Sequence, residues 1–241
     1  MRSDDTSLGG SGARFPSTTW GRARQALDMG DPQVMESLCR RYWKPIYRYL
    51  RIRWSKSNDD AKDLVQAFFL WLFERGALAR YDAGRASFRT YLQLLLNSFV
   101  GHQQEALQAL KRGGGKSILS LDNQAYLQEQ LSTREKDDDR LFDRLWVAES
   151  YRIAIDRVRK DFDRQGKAVQ FQAYAQYELA AEESRPTYAE IAASLGVKES
   201  DVRNSLFAVR AAVREALRAE LADLADGTET FKKEWTELFP G

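Results

Sequence analysis

Two short stretches and two isolated residues hold the residue types that catalysis and metal binding use. Gly113-Gly114-Gly115-Lys116-Ser117 ends as a phosphate-cradling loop ends, with a lysine for phosphate oxygens and a hydroxyl for the magnesium ion. The spacing fails, because the pattern needs glycine at position 110, where leucine stands, and the preceding segment has helical rather than strand periodicity. The acids Glu135, Asp137, Asp138 and Asp139 are interleaved with Arg134, Lys136 and Arg140, which is the pattern of a solvated segment rather than a metal site. His102 and Cys39 are the only residues of their types, so a disulfide framework, a Cys/His zinc site and a pair of imidazoles are all excluded. Cys39 lies on an apolar helical stripe and reads as a small buried hydrophobe. No catalytic residue, metal ligand set or cofactor is expected.

A second kind of chemistry is readable in residues 187–210, TYAEIAASLGVKESDVRNSLFAVR. Thr187 and Glu190 have the spacing of a capping box, which starts a helix. Tyr188, Ile191, Ala192 and Leu195 give that helix a buried face. Gly196 permits a left-handed turn and Val197 plugs the corner. In the helix that follows, Val202, Leu206, Val209 and Val213 fall on one inward stripe. Ser200, Arg203, Asn204 and Phe207 lie on the opposite face, with Arg210 and Arg214 near its edge. This is the layout of a helix-turn-helix unit, whose second helix enters the DNA major groove. Arg203 suits a guanine edge, Asn204 an adenine and Phe207 a thymine methyl, while Arg210 and Arg214 suit phosphates. Two or three base contacts at about 1–3 kcal/mol each discriminate modestly, so a further source of affinity is expected.

The whole chain must position that unit. It has 241 residues, 43% of them hydrophobic, enough for one large or two small domains. Charged residues make up 30% but the net charge is only +2, so nucleic-acid binding has to come from local patches. The polar start, MRSDDTSLGGSG, has neither signal- nor transit-peptide character. No apolar run approaches the roughly 18 residues of a membrane span. A cytoplasmic, nucleoid-associated protein without membrane contact is expected.

Helical periodicity dominates, and the fold class expected is all-α: two helical domains joined by a flexible linker, the second a helix-turn-helix domain. Residues 1–13 read as a disordered lead and 14–112 as the first domain. Within it, helices are expected at about 20–29, at 33–54 with a kink or break at Pro45, from an Asn58 or Asp59 cap to Gly76, and from about 87 to 112, bent near Gly101. Leu70 and Trp71 lie beside or off the apolar stripe of the third, as a partner surface would. Residues 38–56 hold seven bases (Arg40, Arg41, Lys44, Arg48, Arg51, Arg53, Lys56) and no acid. Such a run is either a solvated face or a phosphate-facing surface. The glycine-rich 113–139 reads as linker, 140–221 as the second domain, and 222–241 as a tail with Phe231, Trp235, Leu238 and Phe239 on one helical face. The tail suits either covering the chain's own DNA-binding domain or docking a partner.

TYAEIAASLGVKESDVRNSLFAVRAAVR resembles the promoter-binding C-terminal domain of extracytoplasmic-function (ECF) sigma factors. LCRRYWKPIYRYL, DDAKDLVQAFFLWLF and SFRTYLQLLLNSFVGHQQEALQ resemble successive regions of their N-terminal domain, and FPSTTW the subgroup that opens on FPxTxW. The resemblance covers about residues 15–220 in matching order. It implies a non-enzymatic initiation subunit whose partners are core RNA polymerase and promoter DNA. Asp60, Asp63, Gln66 and Leu70 would grip polymerase. Arg85, Ser87, Arg89 and Tyr91 would read the opened downstream promoter element as a single strand. The linker would thread the polymerase channel, and the second domain would read the upstream element. Polymerase then supplies the missing affinity, since two linked weak sites bind as one strong one.

Two departures stand out. Lys62 occupies a position that is often acidic in the family, which weakens or shifts the polymerase contact. Ser55 and Ser57, just before it, are then candidate phosphosites for restoring negative charge, which makes a Ser/Thr kinase a candidate regulator alongside an anti-sigma factor. Ser205 and Ala208 stand where many relatives carry arginine, so an unusual upstream preference is expected. The competing reading is a stand-alone dimeric helix-turn-helix regulator, which needs a self-complementary surface and a palindromic site.

Overall fold

The computed structural model describes residues 31–82, 85–111, 136–222 and the single positions 232, 235, 236 and 238. Among them every regular element is helical and no strand occurs. The α-helices are α1 (Pro32–Arg53), α2 (Asn58–Glu74), α3 (Phe88–Lys111), α4 (Lys136–Arg164), α5 (Ala168–Glu178), α6 (Tyr188–Leu195) and α7 (Glu199–Ala222), with 3-10 turns at Ala77–Arg80 and Glu182–Ser184. The expected 20–29 helix, the FPSTTW stretch and most of the 113–139 segment lie outside the described residues.

The chain divides into two compact units, and the division falls inside α4, between Val147 and Ala148. The sequence places that boundary earlier, in 113–139, with Leu141, Leu145 and Val147 in the second part. The reason for the difference is packing. Phe142 and Trp146 are fully buried in the first unit, where Trp146 stacks on Tyr42 and Phe142 meets Tyr49 edge-on. Trp235 and Leu238 of the tail are helical, half-buried and also fall in the first unit.

In the first unit, Asp31 caps α1 by accepting from the Gln33 amide, ahead of a proline at N1. Val34, Leu38, Tyr42, Ile46, Tyr49 and Leu50 form its buried stripe. The helix runs on through Pro45 instead of breaking there; Pro45 is buried, so its ring packs in the core where a solvated break would sit. Ser57 caps α2, accepting from the Asp60 amide. The expected caps are otherwise engaged or already helical: Asn58 accepts from the Tyr47 hydroxyl at 2.7 Å. Ala61, Val65, Phe68, Phe69 and Leu72 turn inward. Gly76, at φ 57°, provides the left-handed stop. α3 is apolar on most sides through Val100, and is buried accordingly.

In the second unit, α4 from Ala148 onward, α5, α6 and α7 share one core. Val158, Phe162, Phe171, Tyr174, Ile191, Val202, Leu206, Val209 and Val213 are all buried in it. Burial and a hydroxyl shared with Tyr151 at 3.0 Å push the Tyr174 phenol up, so it stays neutral.

Candidate nucleic-acid and partner interfaces

α6 and α7 are set by their boundaries. The Thr187 hydroxyl accepts from the Glu190 amide at 3.3 Å, and the Glu190 carboxylate accepts from the Thr187 amide at 2.8 Å, so the capping box is complete. Donation from the Thr187 amide, and then from its hydroxyl at 2.8 Å, holds the Glu190 carboxyl below its ordinary range. Gly196 lies at φ 65°, and the Val197 amide closes the helix end on the Ala192 carbonyl. The Lys198 amide is in turn accepted by the Asp201 carboxylate at 3.1 Å, which starts α7.

The inward stripe of α7 is where the sequence puts it, with Val202, Leu206, Val209 and Val213 no more than 3% exposed. Ser200, Arg203, Asn204, Phe207, Arg210 and Arg214 are all exposed. Phe207 is 78% exposed, an apolar ring standing in water between polar neighbours. Arg210 is not free: its guanidinium donates to Glu178 of α5, with Nε at 2.7 Å, and that bond raises its pKa further. Sequence spacing could not foresee this partner, which is 32 residues away in the chain. Ser205 is buried and donates to the Asp201 carbonyl at 2.6 Å. Its hydroxyl is therefore turned away from the outer face, while Ala208 is exposed.

On α2, Asp60, Asp63, Gln66 and Leu70 are all exposed, and Leu70 is 60% exposed. Asp59 and Glu74 are exposed on the same helix and Lys62 is half-exposed, so its outer surface is mainly acidic with one lysine and one leucine in it. Asp60 also accepts from the Ser57 hydroxyl at 2.7 Å, which ties it to the helix cap. Trp71 is half-buried and packs on Phe68 and Phe99, so the partner surface expected from Leu70 and Trp71 reduces to Leu70. Ser57 is exposed but serves as the cap, and exposed Ser55 holds φ 46°, unusual for a residue other than glycine.

The four residues expected to read a single strand separate into two kinds. Arg85 is exposed and paired with Asp82 at 3.1 Å. Ser87 is half-buried and its hydroxyl accepts from the Thr90 amide, holding the start of α3. Arg89 is 3% exposed, bonds Asp143 of α4 at 2.5 Å and lies 5.2 Å from the Trp146 ring centre. Tyr91 is buried and donates to the Ala77 carbonyl at 2.6 Å. Arg89 and Tyr91 are thus fixed inside the fold, where neither side chain is open to a DNA strand. Tyr91 keeps helical spacing with buried Phe88 and Leu95; only the partner Asp143, far along the chain, reveals where the Arg89 charge goes.

His102 is half-buried, with Nδ1 3.5 Å from Glu105. Cys39 is half-buried rather than fully so; burial, with Glu36 nearby, pushes its thiol up to about 11, so it is protonated at neutral pH. Among the described residues no cluster of three or more His, Cys, Asp or Glu could hold a metal, and no helix is long and apolar enough to cross a membrane. Comparison with protein-family models, with curated proteins and with solved structures finds no match.

Proposed function

We propose that the chain is a sigma-type initiation subunit, in two helical domains joined by a flexible segment. In this reading the second domain is a helix-turn-helix that reads upstream promoter DNA through α7. The first grips core RNA polymerase through the outer face of α2 and takes part in opening the downstream element. The observation that carries it is the position of two apolar side chains. Phe207 and Leu70 have the largest exposures among the described large hydrophobics, and each sits within the polar face assigned to one partner. An apolar group left in water inside an otherwise polar patch is what a binding surface looks like before its partner arrives. The order of the sequence regions that resemble ECF sigma factors supports the same assignment.

The weak discrimination offered by Arg203, Asn204 and Phe207 fits a subunit that binds DNA as part of a larger assembly. The test is co-elution of the purified chain with bacterial core RNA polymerase on a sizing column, followed by run-off transcription on genomic fragments. Co-elution with discrete transcripts is expected, and both are lost with Asp63→Lys and Leu70→Ala together. A chain that never co-elutes and instead binds palindromic duplex DNA as a dimer is a stand-alone regulator.

A further inference from the structure

After Leu70, the next most exposed large apolar residue is Ile52, 57% exposed at the C-terminal end of α1. Single exposed aliphatic side chains are ordinary on protein surfaces, but these two have opposite surroundings. On α1, Arg48 lies one turn before Ile52 and Arg51 directly before it, and all three are exposed within about 100° of the helix circumference. Arg51 donates to the neutral Tyr47 hydroxyl at 3.0 Å and so keeps its charge. On α2, Asp59, Asp63, Leu70 and Glu74 are exposed within about 60° of arc, and half-exposed Lys62 stands about 100° to one side of Asp63. Among the described residues no ion pair takes up Arg48, Asp59, Asp63 or Glu74.

Each face is an aliphatic side chain set among charges of one sign, and the two signs oppose. Both faces are exposed in one chain, so neither covers the other. A net charge of only +2 leaves little overall repulsion between copies. Spacing also gives the direction of pairing. With Ile52 on Leu70 and the two helices antiparallel, Arg48, one turn before Ile52, meets Glu74, one turn after Leu70; with the helices parallel it meets uncharged Gln66. We infer that the Arg48, Arg51 and Ile52 face of α1 docks on the Asp63, Leu70 and Glu74 face of α2 in a second copy of this chain. Two short helix faces make an interface at the small, transient end of the range, and its charges make it salt-dependent. Such pairing covers the α2 face proposed above for polymerase, so the concentrated chain is held back from polymerase. That consequence, unlike the contact itself, rests on the proposed function.

The test is sedimentation of the full chain from micromolar to near-millimolar concentration, at about 0.1 M and about 1 M salt, between which the screening length falls from about 10 to about 3 Å. At the lower salt the mass is expected to rise with concentration to that of two chains or more; at the higher it is expected to stay at one. Arg48→Glu/Arg51→Glu and Asp63→Lys/Glu74→Lys each change only exposed side chains, and circular dichroism checks their folds. Either variant alone is expected to self-associate at least about tenfold more weakly, because it sets like charges face to face. Mixed in equal amounts, the two are expected to associate again, since each offers the other an opposite charge; misfolded variants would not do so. A parent that stays at one chain throughout the lower-salt series overturns the inference. So does a mixture that stays dissociated, or an α1 variant that associates like the parent. Co-elution with polymerase is scored separately on the parent and the α1 variant, and the variant is expected to co-elute more completely at equal concentration. Equal co-elution of the two overturns the masking of the α2 face. If the parent self-associates as described but neither chain co-elutes, the function falls and the contact between copies stands.

Discussion

Leu206 and Phe207 are neighbours in sequence and opposites in environment, at 1% and 78% exposure. Leu206→Ala opens a cavity in the second unit's core and is expected to cost about 2–5 kcal/mol in denaturant unfolding. Phe207→Ala is expected to change stability by less than about 0.5 kcal/mol. On upstream promoter DNA it is expected to relax preference at one base position by about 1–3 kcal/mol, read by competition among single-base variants. A shift of the opposite kind is expected at Glu178. Its carboxylate holds Arg210, the cation nearest the edge of the α7 face, and a phosphate has to compete for the same guanidinium. Glu178→Gln weakens that competitor, so duplex binding is expected to tighten and the slope of log affinity against log salt to steepen by about 0.9, one extra phosphate contact. Anisotropy across salt concentrations reads both. The outer face of α7 was legible residue by residue because helical spacing alone separates 203, 204 and 207 from 202, 206 and 209. The Arg210–Glu178 and Arg89–Asp143 pairs were not, because each joins positions that only the tertiary fold brings together.

At the scale of elements, local rules carried most of the information. The capping box at Thr187, the glycine stops at 76 and 196 and the stripe of each described helix follow from side-chain chemistry within a turn or two. Two expectations that differ, the α2 cap and a break rather than a kink at Pro45, were decided by packing: Tyr47 engages Asn58, and the core encloses the proline ring. The cap of α6 gives a pH-dependent prediction. The Glu190 carboxyl titrates below its unfolded value, so the unfolded chain takes up that proton first. The cap's contribution is complete at neutral pH, above the ordinary carboxylate range, and is lost as pH falls through the depressed folded value. Thr187→Ala removes the hydroxyl that accepts from the Glu190 amide and donates to its carboxylate, and is expected to cost about 1 kcal/mol at neutral pH. The backbone amide of residue 187 still donates to Glu190 in the variant, so the gap between variant and parent is expected to narrow in part on acidification, as the hydroxyl–carboxylate bond is lost, which urea melts at neutral and acidic pH would show; a gap independent of pH would mean that the threonine acts without the Glu190 carboxylate.

At the scale of the molecule, the consequential feature is where the first unit ends. Composition marks 113–139 as the break, since glycines and mixed charge are what linkers are made of. Composition cannot register that the helix beyond it returns two large aromatic residues to the unit before it. Phe142 is 0% and Trp146 1% exposed, against Tyr49 and Tyr42 of α1, and Asp143 between them takes the charge of buried Arg89. A fragment that stops at residue 112 therefore lacks part of its own core and loses the Asp143 carboxylate that buried Arg89 bonds. Loss of one such aromatic costs about 3–5 kcal/mol, and a pair of them approaches the whole stability of a small domain. The expected result is that 1–112 is expanded, binds a hydrophobic dye and melts without cooperativity, while 1–147 melts in a single transition. Within the longer fragment, Asp143→Asn is expected to destabilise by about 1–3 kcal/mol, at the low end because the carboxylate is a third exposed. Trp146→Ala should cost more than Asp143→Asn in the same fragment. If 1–112 instead melts as sharply as 1–147, the aromatic pair is an accessory contact, and the first unit ends where its composition says it does.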